Sequence, residues 1–121
     1  MKTSKHKIVP KGWGFEKWIV NKLEYCGKLL YFTKGHKCSL HYHKMKDEVF
    51  YLQSGKLKIK HGSFLDHGGQ YILTEEILEK GDSFYVPVGL IHQMEALEDS
   101  ELFEFSTQHF DEDSYRIEKG D

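Results

Sequence analysis

The chain has 121 residues, with 39% hydrophobic, 14% aromatic and 30% charged side chains, which suits one domain with its own core and excludes a disordered chain. Its net charge is −2 with lysines and acids interspersed, which excludes a basic stripe for nucleic acid and a polyanionic tail. The polar start has no apolar signal segment, and no run approaches the roughly 20 apolar residues of a membrane span, so a cytoplasmic protein is expected, with Cys26 and Cys38 as free, small, buried thiols.

In chain order, residues 1–11 are polar and expected to be frayed. Residues 15–20 (FEKWIV) mix aromatic and β-branched side chains and read as a strand, followed by a turn at Asn21 and Lys22. Residues 28–33 (KLLYFT) form a second strand, stopped at Gly35. Residues 39–43 and 48–53 (EVFYLQ) give the third and fourth, and 56–60 (KLKIK) alternates as a half-buried strand does. Residues 61–70 carry three glycines and Asp66 and read as a hairpin loop. Strands are expected at 71–78, 83–86, 91–96 and 101–106, with tight turns at Pro87-Val88-Gly89 and at 97–100, while the fold of the tail from Gln108 is left open. About nine short strands with no competing helical period make an all-β sandwich or barrel, and the lack of a linker or repeat makes residues 1–121 one domain.

The chemistry concentrates between Gly35 and Gly55. His41 and His43 are two apart, so on a strand they point to the same side. Glu48 shares a strand face with Phe50 and Leu52, and a carboxylate in an apolar lining is costly unless it is paired or bound to a cation. The Pro87–Gly89 turn can return His92 to the level of the first two histidines. Three imidazoles and one carboxylate suit a divalent transition metal such as Zn, Mn, Fe or Ni, with one or two positions left for water or substrate. Cys38, three residues before His41, invites a thiol mechanism, but His41 is better used as a ligand. His6, His36, His61, His67 and His109 fall in termini or turns and are expected to be exposed. Lys28 could meet a phosphate, though it reads as a strand-face lysine at the surface. No nucleotide-binding or nucleophile-elbow motif is present.

Two blocks carry a family resemblance. Gly35, five residues, His41-x-His43, four residues, Glu48, six residues and Gly55 resemble the first cupin motif. Gly81, five residues, Pro87-x-Gly89, two residues and His92 resemble the second, with Ala96 where Asn is usual. The resemblance implies a double-stranded β-helix, the cupin or jelly-roll barrel, with a metal inside and His41, His43, Glu48 and His92 as its ligands. At the N-terminus, residues 11–20 (KGWGFEKWIV) are similar to the opening of type II phosphomannose isomerase-like cupins, and Glu104 to Thr107 with DEDSYR (111–116) is similar to their closing segment.

That likeness implies a small sugar-like ligand and a metal-dependent aldose–ketose isomerase working through a stabilised ene-diolate. Glu104, on a strand expected to reach the barrel, is the candidate base. A non-catalytic sugar-binding cupin and an iron-dependent dioxygenase are the alternatives. A homodimer is expected, paired through the N-terminal aromatic strand with Trp13 and Trp18.

Overall fold

The computed structural model describes residues 1–2 and 6–121. Its described residues form eleven strands: β1 (Lys7–Lys11), β2 (Gly14–Asn21), β3 (Cys26–Phe32), β4 (Leu40–Tyr42), β5 (Glu48–Ser54), β6 (Lys56–Phe64), β7 (Tyr71–Glu79), β8 (Ser83–Val86), β9 (Ile91–Ala96), β10 (Ser100–Ser106) and β11 (Tyr115–Glu118). A single 3-10 turn, Asp111–Asp113, precedes β11. Six strands make one antiparallel sheet in the order β1-β2-β3-β10-β5-β8, and five make the other in the order β11-β4-β9-β6-β7. Together they form the jelly-roll sandwich of a double-stranded β-helix, as expected.

Side-chain alternation sets the interior. Along β3, Cys26, Lys28, Leu30 and Phe32 are buried and the residues between them are only half-buried. The ladders align these positions across three strands. One row joins Leu30, Leu102 and Leu52, the next joins Lys28, Glu104 and Phe50, and the last joins Cys26, Ser106 and Glu48. From the facing sheet come Leu57, Ile59, Met94 and Ala96. The interior therefore grades from apolar at one end to charged at the other. Each fully buried leucine or isoleucine at the apolar end contributes about 1.5–3 kcal/mol, and that end supports the charged one.

Several sequence expectations are corrected. Part of residues 1–11, expected to be frayed, is strand β1, paired with β2 along its length; Thr3, Ser4 and Lys5 lie outside the described residues. The loop expected at 61–70 is shorter, because β6 runs to Phe64 and β7 starts at Tyr71. The aromatic strand β2 is not a sheet edge, since β1 and β3 flank it. Trp13 is buried and stacked on Phe32, with ring centroids 4.2 Å apart. The edge is β1, whose Lys7, Lys11 and Pro10 discourage pairing with another chain.

The turn after β8 places the site. Gly89 has φ +88, a left-handed conformation that glycine adopts without strain. Its N–H donates to the His43 carbonyl at 2.8 Å, and the Leu90 N–H closes the turn onto the Pro87 carbonyl at 3.2 Å. Gly89→Ala is expected to cost about 1–2 kcal/mol, measured by urea unfolding; an unchanged midpoint would show that the turn tolerates a side chain.

Candidate metal centre

His41 and His92 face each other across the β4–β9 ladder, His43 follows directly on β4, and Glu48 opens β5 in the opposite sheet. The histidine ligand atoms all lie within 4.8 Å of one another. Glu48 Oε2 stands 3.3 Å from His43 Nε2 and 3.5 Å from His92 Nε2. The chain thus brings together all four residues picked out in the sequence.

Backbone carbonyls fix the imidazoles. His41 Nδ1 lies 2.8 Å from the Ser39 carbonyl, His43 Nδ1 2.7 Å from the Asp113 carbonyl, and His92 Nδ1 2.9 Å from the Leu90 carbonyl. A carbonyl only accepts, so each Nδ1 carries a hydrogen and each ring turns Nε2 inward. Burial, reinforced by the neighbouring histidines, pushes His41 down to about 3. Burial does the same to His92, to about 3, against the opposing pull of its Leu90 hydrogen bond. At neutral pH these two nitrogens are acceptors facing the carboxylate of Glu48. Both Glu48 oxygens and His92 Nε2 are buried without a hydrogen-bond partner. Such a cluster of unsatisfied acceptors is unfavourable in a barrel interior and becomes favourable around a cation. The residues present fit a divalent transition metal.

Around this cluster lies a cavity of about 610 Å³, lined by Trp18, Lys28, Lys46, Glu104 and His109 among others. Lys46 is buried, with Nζ 3.0 Å from Glu104, 3.6 Å from Glu48 and 3.1 Å from His109 Nδ1. Although burial disfavours its charge, Glu104 and Glu48 push Lys46 above the ordinary lysine value, so it stays an ammonium. Burial would lift Glu104, but Lys46 and then Lys28 hold it at about 2. Glu104 is therefore an ionised carboxylate facing the cavity, not a surface acid. Lys28, expected at the surface, is 1% exposed. His109, expected to be exposed, is half-buried and bridges Lys46 to Asp111 at 3.0 Å. His6, His36 and His67 are exposed as expected. The Cys38 thiol, pushed up to about 12 by burial, is inert at neutral pH, so a thiol mechanism has no support.

One organising residue escaped the sequence. Asp113 sits in the segment DEDSYR and is buried. Its carboxylate accepts hydrogen bonds from the backbone N–H groups of Lys44, Met45 and Lys46 at 2.8–3.2 Å. The same residue's carbonyl holds His43, so it clamps the loop between two candidate ligands.

Comparisons with known proteins bear on the family and the fold. The profile of the family described as Cupin domain matches residues 28–107. The chain belongs to the cupin domain family. No curated protein matches it. Among solved structures, this cupin is similar to the capsular polysaccharide assembling protein CapF from Staphylococcus aureus, with a TM-score of 0.78, 20% identity, and coverage of 96% of this chain and 35% of CapF. It is similar to KdgF from Halomonas sp., with a TM-score of 0.71, 20% identity, and coverage of 88% and 92%. It is also similar to oxalate decarboxylase from Bacillus subtilis, with a TM-score of 0.76, 18% identity, and coverage of 97% and 33%. The chain spans about a third of the length of CapF and of oxalate decarboxylase. Another CapF structure carries the inhibitor 3-isopropenyl-tropolone. At these identities the likeness concerns the fold. Among the described residues of this cupin, no helix is long and apolar enough to cross a membrane.

Two outcomes check the site's supports. Asp113→Ala strands three backbone donors and is expected to lower stability by about 1–3 kcal/mol, with Asp113→Asn falling between it and wild type in chemical denaturation; a silent Asp113→Ala would show that the clamp carries no energy. The second concerns acid. Glu104 has a folded value of about 2, below the ordinary carboxylate value of 4.5. Its stabilising share is therefore full above about 4.5 and is lost as pH falls towards 2. The stability difference between wild type and Glu104→Gln should shrink through that window, and a constant difference would contradict the pairing with Lys46.

Proposed function

We propose that His41, His43, Glu48 and His92 hold a divalent transition metal, and that this cupin uses it as a sugar or sugar-phosphate isomerase. The observation that carries the reading is the convergence of inward imidazole nitrogens on a buried carboxylate without a hydrogen-bond partner, at the wall of a ligand-sized cavity. A metal in that position supplies a Lewis acid for a carbonyl and its neighbouring hydroxyl, which makes the C–H between them acidic.

The chain's own residues supply the rest. Backbone carbonyls hold the imidazoles in one tautomer, so the site is set before ligand arrives. Glu104 is the base in this reading. Lys46 keeps its carboxylate ionised, so it is always in the accepting form, at the cost of a low proton affinity. Trp13 and Trp18 give the cavity apolar surface against which a sugar ring can lie. The sugar assignment draws support from the terminal segments and from the name of CapF, which ties that protein to capsular polysaccharide. Residues 1–121 act in this reading as one domain, in the cytoplasm. The protein is a homodimer in this reading too, but not by edge-to-edge pairing of β2, which β1 and β3 flank. The exposed Ile19, Val49, Tyr85 and Phe105 of the six-stranded sheet are the better contact.

Elemental analysis of the purified protein tests the site. About one Zn, Mn, Fe or Ni per chain is expected, with His41→Ala losing most of it; unchanged metal in that variant would overturn the ligand set. A screen of aldose and ketose phosphates should then reveal turnover that Glu104→Gln lowers by roughly a hundredfold without loss of metal. Fe(II)-dependent oxygen uptake would replace the isomerase with a dioxygenase, and tight binding without turnover would replace it with a sugar-binding protein. Gel filtration at micromolar concentration should give a dimer, and a monomer would refute that part.

A further inference from the structure

We propose that Lys28 anchors the negatively charged end, carboxylate or phosphate, of the molecule that occupies the metal cavity. The inference deepens the reading above and rests on its metal site. Lys28 lies on an inward position of β3, in register with Glu104 on β10 and Trp18 on β2. The residue is 1% exposed, yet it lines the cavity. An ammonium so deeply placed is expected to be matched by strong acceptors. Among the described residues its one carboxylate partner is Glu16, at 3.5 Å, and that same oxygen already accepts the Trp18 indole N–H at 2.8 Å. The Trp18 ring covers one side of the ammonium, 4.2 Å from Nζ. Lys46, by contrast, has Glu104 at 3.0 Å and Glu48 at 3.6 Å. Lys28 is thus held in place by a ring and a shared oxygen, with donors to spare.

The charges of the inner wall point the same way. Lys28 and Lys46 stand against Glu16, Glu48 and Glu104, so the wall has one negative charge in excess. A divalent cation reverses this to one positive charge in excess, which a singly charged anion would neutralise. Farther out, the cavity lining carries Lys7, Lys11, Arg116 and Lys119 against Asp111 and Asp121. On a chain of net charge −2, this local surplus of cations favours the approach of an anion.

The reach is suitable as well. Lys28 and Glu48 lie on strands separated only by β10 and are offset by two residues along them, which sets their backbones roughly 12 Å apart. A hexose with an anionic terminus spans that interval, its other end at the metal. Lys28 would then select charged sugars over neutral ones, while Trp18 and Glu16 act as positioning residues that keep the ammonium turned into the cavity.

Calorimetric titration of Mn(II)-loaded protein with glucose, glucose 6-phosphate and glucuronate tests the assignment. At least one of the two anions is expected to bind about tenfold or more tightly than glucose, and which one does so separates phosphate from carboxylate. Lys28→Met should reduce that anion to the affinity of glucose with its bound Mn(II) unchanged, and Lys28→Arg should retain part of the preference. Should Lys28→Met fail to fold, Lys28→Gln makes the same comparison. Mn(II) uptake with no anion preference in wild type, or a preference that survives loss of Lys28, overturns this assignment alone. A wild type that takes up no Mn(II) overturns it together with the metal site.

Discussion

Charged and lone-pair-bearing groups crowd one end of the barrel interior, and the surrounding structure is arranged to tolerate them. Glu48, Glu104, Lys28, Lys46 and three imidazoles share walls with Phe50 and Leu90. Buried charge without partners is among the most costly features a small domain can contain. Two compensations are visible. Lys46 sits between Glu48 and Glu104 and joins them to His109. The imidazoles donate hydrogen bonds from Nδ1 to carbonyls on three separate segments. What remains without a hydrogen bond, the oxygens of Glu48 and His92 Nε2, is what a cation would satisfy.

This arrangement separates two tasks along one barrel. The apolar rows built on Leu102 and Leu52 hold the sheets together, and the charged rows built on Glu104 and Glu48 carry the chemistry. Because the rows belong to the same strands, the rigidity of the first is passed to the second. A site mounted on strands keeps its geometry better than one mounted on loops. The one loop that matters, residues 44–47, is made rigid by the Asp113 carboxylate.

Much of this was legible from residue order. The two glycine-bounded blocks placed His41, His43, Glu48 and His92 together, and short apolar and aromatic runs bounded by turn residues marked most strands. The misreadings share a cause. Lys28 has the same parity as Leu30 and Phe32, so its inward position was available from the period of two, but a lysine is so seldom buried that identity outweighed pattern. His109 was assigned to the surface from its place in a tail, whereas long-range contacts with Lys46 and Asn21 pull it inward. Asp113 gave no local signal at all. Its partners lie 67 to 69 positions away, and a carboxylate in an acidic segment looks solvated until the fold is known. The strand β1 was missed because Pro10 and two lysines suit an edge, the one place where a strand can look like a frayed end.

The position of Asp113 also bears on how the protein is made. His43 receives its backbone partner from a residue 70 positions later in the chain, and β4 completes its ladder only with β11. During synthesis the barrel can collapse around its apolar rows while the ligand strand still lacks an outer neighbour. The metal-binding geometry then matures only after Asp113 and β11 have been made and have docked on β4. Metal acquired earlier would meet a looser set of imidazoles, so the timing of metal supply relative to the docking of β11 becomes part of how the site is assembled.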